Sequence, residues 1–250
     1  MTVADELGDS PPPYGTVVFD CDSTLAAIEG IEELARGNAE VARLTREAME
    51  GRIALEQVFG RRLALVRPTR ADVERIGVLY VDSLLPNCAR LVAALQALGK
   101  RVCIVSGGLL PAVRAVARAL AIPDEDVRAV DVAFDPAGRY TGFDERSPLA
   151  RAGGKIEVLH AMRRPGEALA LVGDGATDLE AAAAAERFIA FGGVERRPRV
   201  LAAARVRCLE PDFRSLVPLL LAHDEIATLA ESAVHRALVE IPRSAAPPTA

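Results

Sequence analysis

The chain has 250 residues, 50% hydrophobic and 26% charged, with no tryptophan, which is ordinary for one globular domain with a small insertion. Its formal net charge of −5 offers no electrostatic footprint for nucleic acid or an anionic membrane. The acidic start is unlike a signal peptide, and no stretch approaches the ~18 apolar residues of a membrane span. We therefore expect a cytoplasmic protein that binds neither nucleic acid nor a membrane.

The chain begins with a polar segment and then its first strand. Residues 1–13 end in three prolines and predict a disordered leader. Residues 16–20 are almost continuously apolar, which is typical of a strand buried on both faces. Asp20 and Asp22 stand at its end. Because a buried unpaired carboxylate is costly, packing does not explain them, and they indicate a site.

Residues 25–87 contain no convincing strand and predict a small all-helical cap inserted after the first strand. Gly37, Gly51 and Pro68 separate four helical patterns, and Thr69 suits the N-cap of the fourth. Since this segment follows the first strand directly, we expect it to cover the carboxyl ends of the strands, where ligands bind in open α/β sheets.

Beyond the cap, apolar runs alternate with helical patterns and predict a parallel α/β sheet with right-handed crossovers. The predicted strands are residues 101–106, 169–174, 187–191 and 206–210. Residues 129–144 predict a hairpin that turns at 135–138. The catalytic core is therefore expected to comprise residues 14–24 and 88–221.

Residues 222–250 predict a C-terminal helix and a disordered tail. One face of this helix carries Ile226, Leu229, Ala230, Ala233, Val234 and Leu238. We expect that face to pack on the core of its own chain. A homodimer contact is the alternative.

Four polar clusters lie at strand ends or helix starts, at positions that a parallel sheet brings to one edge. They are Asp20 with Asp22, residues 106–108, Lys155, and residues 173–178. Several carboxylates at one point need a cation, and oxygen ligands beside a phosphate favour Mg²⁺. One aspartate can attack phosphorus while its neighbour transfers a proton, and the hydroxyl, amides and lysine can bind phosphoryl oxygens. Together the clusters predict phosphoryl transfer.

Each cluster alone also fits a tight turn, a helix cap or a solvated helix residue. A Walker phosphate loop is absent because Ile156 follows Gly154 and Lys155. An EF-hand loop is excluded because Leu25 stands where its glycine belongs. The presence of all four clusters in one chain favours the functional interpretation.

These motifs resemble those of the haloacid dehalogenase superfamily. FDCDSTL is similar to the first motif, SGG to the second, Lys155 to the third and GDGATD to the fourth. From about Val17 to Leu221, stretches such as EGIEELA, AMEG, RRLALVRP and AGGK resemble the phosphoserine phosphatase family within it. The resemblance implies a Rossmann-like parallel sheet core with helices on both faces, plus the helical cap.

The resemblance also implies Mg²⁺-dependent hydrolysis of O-phospho-L-serine, a step of L-serine biosynthesis, through an aspartyl-phosphate. It gives Asp20 the role of nucleophile and Asp22 that of general acid/base. It assigns Mg²⁺ to the Asp20 carboxylate, the Asp22 backbone carbonyl and Asp174, with Asp178 in support. The implied substrate-binding residues are Glu29, Arg62, Ser106, Gly107, Lys155 and Thr177.

Glu29 and Arg62 also suit a phosphorylated amino acid on chemical grounds. Beyond its phosphate, such a substrate carries an ammonium group that Glu29 can bind and a carboxylate that Arg62 can bind in a two-pronged fork. The ordinary alternative for Glu29 is stabilisation of a helix N-terminus. For Arg62 it is a solvated helix face beside Arg61.

Three other functions remain open from the sequence. One is a phosphotransferase that passes the phosphoryl group to another hydroxyl, such as that of homoserine. Another is a phosphatase for a different small phosphomonoester. The third is an inactive fold kept as a binding module, against which the intact set of acidic and basic residues argues.

Overall fold

The computed structural model describes residues 13–239, and a parallel sheet of six strands forms their core. The strands are β1 (Thr16–Phe19), β2 (Arg101–Leu109), β3 (Val127–Val130), β6 (Leu169–Gly173), β7 (Arg187–Phe191) and β8 (Val206–Cys208). Their order across the sheet is β3-β2-β1-β6-β7-β8, and every neighbouring pair is parallel. The predicted α/β fold is confirmed. The predicted leader lies outside the described residues except for Pro13, as does the end of the predicted tail.

The central position of β1 determines where a ligand can bind. β1 pairs with β2 on one side and with β6 on the other, and both central strands, β1 and β6, are buried along their whole length. The chain first builds the sheet outward through β2 and β3, then returns beside β1 and builds the other half. The carboxyl ends of β1 and β6 therefore form the switch point at which open α/β sheets bind ligands.

Helices surround the sheet, on the chain segments between its strands and, for the last of them, after β8. They are α5 (Cys88–Ala97), α6 (Leu110–Ala119), α7 (Gly154–Met162), α8 (Ala176–Ala181), α9 (Pro198–Ala203) and α10 (Val217–Leu220). Pro111 occupies the first turn of α6, as predicted, where its missing N–H costs no helical hydrogen bond. Within residues 13–239, no helix is long and apolar enough to cross a membrane.

Four further helices between β1 and α5 form a group that we call the cap helices. They are α1 (Gly30–Ala35), α2 (Ala39–Met49), α3 (Leu55–Val66) and α4 (Arg70–Asp82). The predicted breaks at Gly37, Gly51 and Pro68 fall between them, and Thr69 forms a capping box with Asp72 at the start of α4. The segments entering and leaving the cap are paired, since Leu85 N donates to Leu25 O at 3.0 Å.

Strand β2 and its partner β3 differ from the sequence prediction. β2 continues to Leu109, so residues 106–108 lie within the end of the strand rather than after it. β3 was not predicted from the sequence. It has four residues, it follows an acidic turn, and Arg128 at its second position is exposed. The hairpin is confirmed, with β4 (Val132–Phe134) and β5 (Tyr140–Phe143) joined by the predicted turn.

The prediction of one continuous C-terminal helix was wrong. The structure has α11 (His223–Glu231) and α12 (Arg236–Val239), separated at Ser232. The Ser232 hydroxyl accepts from His235 N and the Ser232 carbonyl from Arg236 N, so this residue starts a new turn instead of extending α11. The break leaves Val234 81% exposed, while Leu229 and Leu238 are buried.

A buried ion pair fastens α11 to the core. Glu225 binds the ammonium of Lys100, whose Nζ also donates to Tyr14 O at 2.9 Å. The Lys100 side chain is 4% exposed and that of Glu225 15%. Because removing one member of a buried pair leaves the other uncompensated, this contact matters for stability.

We expect Glu225→Gln to lower the free energy of unfolding by about 1–3 kcal/mol, because a neutral amide leaves the buried charge of Lys100 uncompensated. Urea unfolding followed by circular dichroism measures this change. Glu231→Gln, on the exposed end of the same helix, is the matched control and should change the midpoint little. Equal midpoints for both variants would contradict the expectation.

Candidate active site

The switch point of the sheet gathers three buried carboxylates. Asp20 follows β1, Asp174 follows β6, and Asp178 lies in the first turn of α8. One carboxylate oxygen from each lies within 4.8 Å of the other two. This is an all-oxygen donor set of the kind that a hard divalent cation such as Mg²⁺ prefers, so these residues fit the predicted metal. The Asp22 carboxylate is not among the clustered groups.

Lys155 neutralises part of this cluster from the start of α7. Its Nζ lies 2.6 Å from Asp178 Oδ1 and 3.2 Å from Asp20 Oδ1. Burial alone would lower the pKa of Lys155, but Asp178 and Asp20 raise it above its ordinary value, so the side chain stays charged. The solvated-helix interpretation of Lys155 is therefore wrong.

Burial has the opposite effect on the acids. It raises the pKa of Asp174 to about 6 although Arg197 lies beside it, and it raises the pKa of Asp178 to about 7 although Lys155 lies beside it. Asp178 is also held by Gly175 N, at 3.0 Å, and it closely approaches Gly173, where an added Cβ would stand 2.2 Å from its Cγ. A side chain at Gly173 would displace one acid of the cluster.

Asp22 points away from the carboxylate cluster and toward the cap helices. Its Oδ1 accepts from Gly30 N at 2.7 Å and from the Tyr80 hydroxyl at 2.5 Å, while its Oδ2 lies 3.4 Å from Ser106 Oγ. Burial raises the pKa of Asp22, and the charge of Asp20 adds to this effect. A carboxyl with a raised pKa suits a group that must hold and give a proton near neutral pH.

The residues predicted to hold phosphate lie around the same point. Ser106 is fully buried and its Oγ accepts from Gly108 N at 3.0 Å. Gly107, Lys155 and Thr177 line the cavity between the cap helices and the core. Backbone amides, a hydroxyl and an ammonium group are the donors that an anion needs, and of these the Lys155 ammonium lies 3.2 Å from Asp20 Oδ1.

Glu29 begins the cap and is held by partners that the sequence did not reveal. Its Oε1 accepts from Ser23 Oγ and from Arg197 Nη2, both at 2.8 Å. Glu29 is the N-cap residue of α1, but its carboxylate makes no hydrogen bond to that helix and binds these two partners instead. Burial, with the charges of Asp22 and Asp174, raises the pKa of Glu29 well above its ordinary value.

Arg197 is a site residue that sequence reasoning missed. It is 6% exposed, and its Nε donates to Asp174 Oδ2 at 2.7 Å while its Nη2 reaches Glu29. Burial alone would lower the pKa of Arg197, but Asp174 and Glu29 raise it. Its only local signal is its place before Pro198, at the N-cap of α9, within a run of arginines that looks solvated.

Arg62 is buried inside the cavity, so its interpretation as a solvated helix face is wrong. It is 5% exposed, its Nη1 donates to Thr45 Oγ1 at 3.1 Å, and the guanidinium lies over the Phe59 ring. Within residues 13–239, its buried Nε has no hydrogen-bond partner. The neighbouring Arg61, by contrast, is exposed and pairs with Glu40.

The cap helices and the core meet around one cavity. Besides Glu29–Arg197 and Tyr80–Asp22, Ala152 N donates to the Glu56 carboxylate at 2.9 Å. The cavity lining includes Asp20, Asp22, Glu29, Arg62, Gly107, Lys155 and Thr177. Ser106, Asp174 and Asp178 lie beside it, among the buried groups that hold these residues in place.

The chain is similar to known proteins in sequence and in structure. The model of the haloacid dehalogenase-like hydrolases matches residues 14–186. A phosphoserine phosphatase of Drosophila melanogaster is 40% identical over 207 residues, 80% of this chain and 76% of that protein. Two solved structures have TM-scores of 0.72 and cover 84% of this chain and 100% of theirs. One is a phospho-aspartyl intermediate analogue of phosphoserine phosphatase, 26% identical, and the other a substrate-bound phosphoserine phosphatase complex, 25% identical.

The acidic cluster predicts that Mg²⁺ stabilises the protein and that the effect depends on pH. The raised pKa values of Asp174 and Asp178 mean that the folded metal-free protein binds protons more tightly than the unfolded chain. Its stability should therefore fall as the pH rises from about 4 to about 7. Mg²⁺ should restore that stability at pH 8 and much less at pH 5.5, because protons compete for the same oxygens.

Thermal unfolding with EDTA or excess Mg²⁺ at the two pH values measures this gain, which is about 2.7 kcal/mol at a hundredfold excess over Kd. Asp174→Asn should abolish the Mg²⁺-dependent shift. Asp82→Asn, which changes an exposed aspartate of α4, is the control that should keep it. A full shift in Asp174→Asn would show that the cation binds elsewhere.

Proposed function

The chain belongs to the haloacid dehalogenase-like hydrolases and is a phosphomonoester hydrolase, and on that premise we propose that it hydrolyses O-phospho-L-serine to L-serine and phosphate. One observation carries the substrate: the buried Arg62, whose Nε has no partner within residues 13–239, shares a cavity with Glu29 and the candidate nucleophile Asp20. A buried donor without a partner is costly, and a ligand carboxylate would satisfy it.

The charges of the cavity match the three charged groups of phosphoserine. Lys155 and residues 106–108 at the end of β2 would bind the phosphate. Arg62 would bind the carboxylate and Glu29 the ammonium. The matched structures, a substrate-bound phosphoserine phosphatase and a phospho-aspartyl intermediate analogue, support the same substrate and intermediate. A serine product would place the enzyme in L-serine biosynthesis. The cytoplasmic location and the homodimer remain predictions from the sequence.

Asp20 is oriented for attack on phosphorus. Its Oδ1 accepts from Cys21 N at 2.8 Å and lies 3.2 Å from Lys155 Nζ. Within the part of the chain that the structure describes, no hydrogen bond engages Oδ2, which is therefore available as the nucleophile. Attack would form an aspartyl-phosphate, with Ser106 and Lys155 binding the phosphoryl oxygens.

Asp22 would serve both halves of the reaction. Its proton would pass to the serine oxygen as the P–O bond breaks, and the resulting carboxylate would take a proton from the water that hydrolyses the aspartyl-phosphate. Mg²⁺, held by Asp20, Asp174, the Asp22 carbonyl and Asp178, would supply charge stabilisation at the phosphoryl group.

In this proposal residues 14–24 and 88–221 are the catalytic core and residues 25–87 are the cap. The cap helices contact the core through polar groups that surround the cavity and through the packing of α4 on α6, where Gly77 lies against Ala112 and Ala115. They would exclude bulk water while Asp20 is attacking and would separate from the core to admit substrate and release serine.

The chemistry is tested by phosphate release from O-phospho-L-serine. We expect release that EDTA abolishes and that falls by several orders of magnitude in Asp20→Asn, because the amide cannot form the intermediate. Asp82→Asn should retain wild-type activity. A phosphorylated acceptor in place of free phosphate, when homoserine is added, would instead indicate a phosphotransferase.

The substrate assignment is tested by Arg62→Gln on two esters. Phosphoethanolamine has the phosphate and ammonium of phosphoserine but lacks its carboxylate. We expect the variant to lower kcat/KM for phosphoserine roughly 10- to 100-fold, the value of a charge-assisted hydrogen bond, and to change that for phosphoethanolamine little. Arg61→Gln, at the exposed neighbour, is the control. Equal losses on both esters would contradict recognition of the carboxylate by Arg62.

A further inference from the structure

Tyr80 is a buried cap residue whose hydroxyl reaches the candidate proton donor of the core. Its side chain is 1% exposed, and its Oη lies 2.5 Å from Asp22 Oδ1. We propose that Tyr80 is a positioning residue: its hydroxyl, carried by α4, orients the Asp22 carboxyl for proton transfer. This inference rests on the proposed function and adds a residue to it.

The two oxygens of Asp22 have separate surroundings. Oδ1 accepts two hydrogen bonds, from the Tyr80 hydroxyl and from Gly30 N, and both donors belong to the cap helices. Among the described residues, the hydrogen-bond partner of Oδ2 is Ser106 Oγ, at 3.4 Å, and Oδ2 lies 3.1 Å from the Cβ position of Gly108. Two donors on one oxygen fix the plane of the carboxyl. They direct the other oxygen toward residues 106–108, where the leaving oxygen would stand.

The surrounding chain is shaped to admit the hydroxyl. A Cβ at Gly30 would stand 2.1 Å from Tyr80 Oη, so only glycine at this position lets the phenol reach Asp22 while donating its own N–H. The end of α4 is held by backbone hydrogen bonds, since Ala27 N donates to Ser83 O at 2.9 Å and Leu85 N to Leu25 O at 3.0 Å. Tyr80 lies one turn before Ser83, so the placement of its hydroxyl follows from this pairing.

The proposed role leaves the proton balance of the reaction unchanged. A neutral phenol beside a carboxyl oxygen acts as a donor and keeps its proton. The proton that reaches the serine oxygen comes from Asp22, the P–O(serine) bond breaks as the bond from Asp20 to phosphorus forms, and the water that later attacks phosphorus returns a proton to Asp22. Tyr80 therefore affects the steps that need Asp22 and no others.

This restriction gives a readout that a merely structural role would not produce. The serine oxygen is a poor leaving group that needs a proton, whereas p-nitrophenolate leaves without one. We expect Tyr80→Phe, which removes only the hydroxyl, to lower kcat/KM for phosphoserine about 10- to 100-fold and that for p-nitrophenyl phosphate less than about 3-fold. The ratio of the two values does not depend on the fraction of enzyme that is folded.

Pre-steady-state kinetics supplies a second readout. With p-nitrophenyl phosphate, Tyr80→Phe should release one p-nitrophenol per active site in a burst and then turn over slowly, because hydrolysis of the aspartyl-phosphate also needs Asp22. Tyr14→Phe, which removes the hydroxyl of a buried tyrosine on the core, is the matched control and should behave as wild type on both esters.

The outcomes separate this inference from the proposed function. If wild type does not hydrolyse phosphoserine, the substrate proposal fails, and the same comparison is made with phosphoethanolamine as the alkyl ester. Equal losses on the alkyl and aryl esters would reduce Tyr80 to a structural role, and no loss on either would show that Gly30 N alone orients Asp22. Either result overturns the inference.

Discussion

Mutual repulsion among buried carboxylates is the constraint on which the site depends. Asp20, Asp174 and Asp178 stand within 4.8 Å of one another at the end of a sheet whose central strands are wholly buried. Burial costs each charge its hydration, and two cations inside the protein, Lys155 and Arg197, offset only part of that cost. The remaining negative charge is what a divalent cation would neutralise, so the fold itself creates the demand for the metal.

The cap contributes charged and polar contacts to this centre as well as a cover. Glu29 reaches the Asp174 carboxylate through Arg197, and Tyr80 reaches Asp22 directly. A second, apolar contact joins the two parts, since α4 packs on α6 of the core, where a Cβ at Gly77 would stand 2.9 Å from that of Ala115. The cap helices therefore contribute both a packed helix and the polar groups that reach Asp174 and Asp22.

The sequence predicts the parts of this site that depend on topology. Asp20 follows the apolar strand β1 and Asp174 follows the apolar strand β6. The parallel pairing of these two strands is enough to bring the two aspartates together. Arg197 and Tyr80 could not be found in this way, because Glu29 lies 168 residues from Arg197 and Asp22 lies 58 residues from Tyr80, and both contacts depend on how helices pack. β3 was missed because it is a strand of four residues. The C-terminal helix was predicted as continuous because its apolar pattern does not show the local hydrogen bond at Ser232 that starts a new turn.

The two residues proposed to recognise the amino-acid part of the substrate are not equivalent. Glu29 already has a cationic partner in Arg197, so a substrate ammonium must share a carboxylate that is partly neutralised. Arg62 has one hydroxyl partner, and its Nε has none within residues 13–239, so a substrate carboxylate would fill a hydrogen bond that the protein leaves unmade. A buried donor without a partner costs more free energy than a second partner adds to a carboxylate that is already paired. The substrate carboxylate should therefore contribute more to specificity than the substrate ammonium. Arg62 lies on α3 of the cap, so this preference would also draw the cap onto the core when the correct substrate is bound.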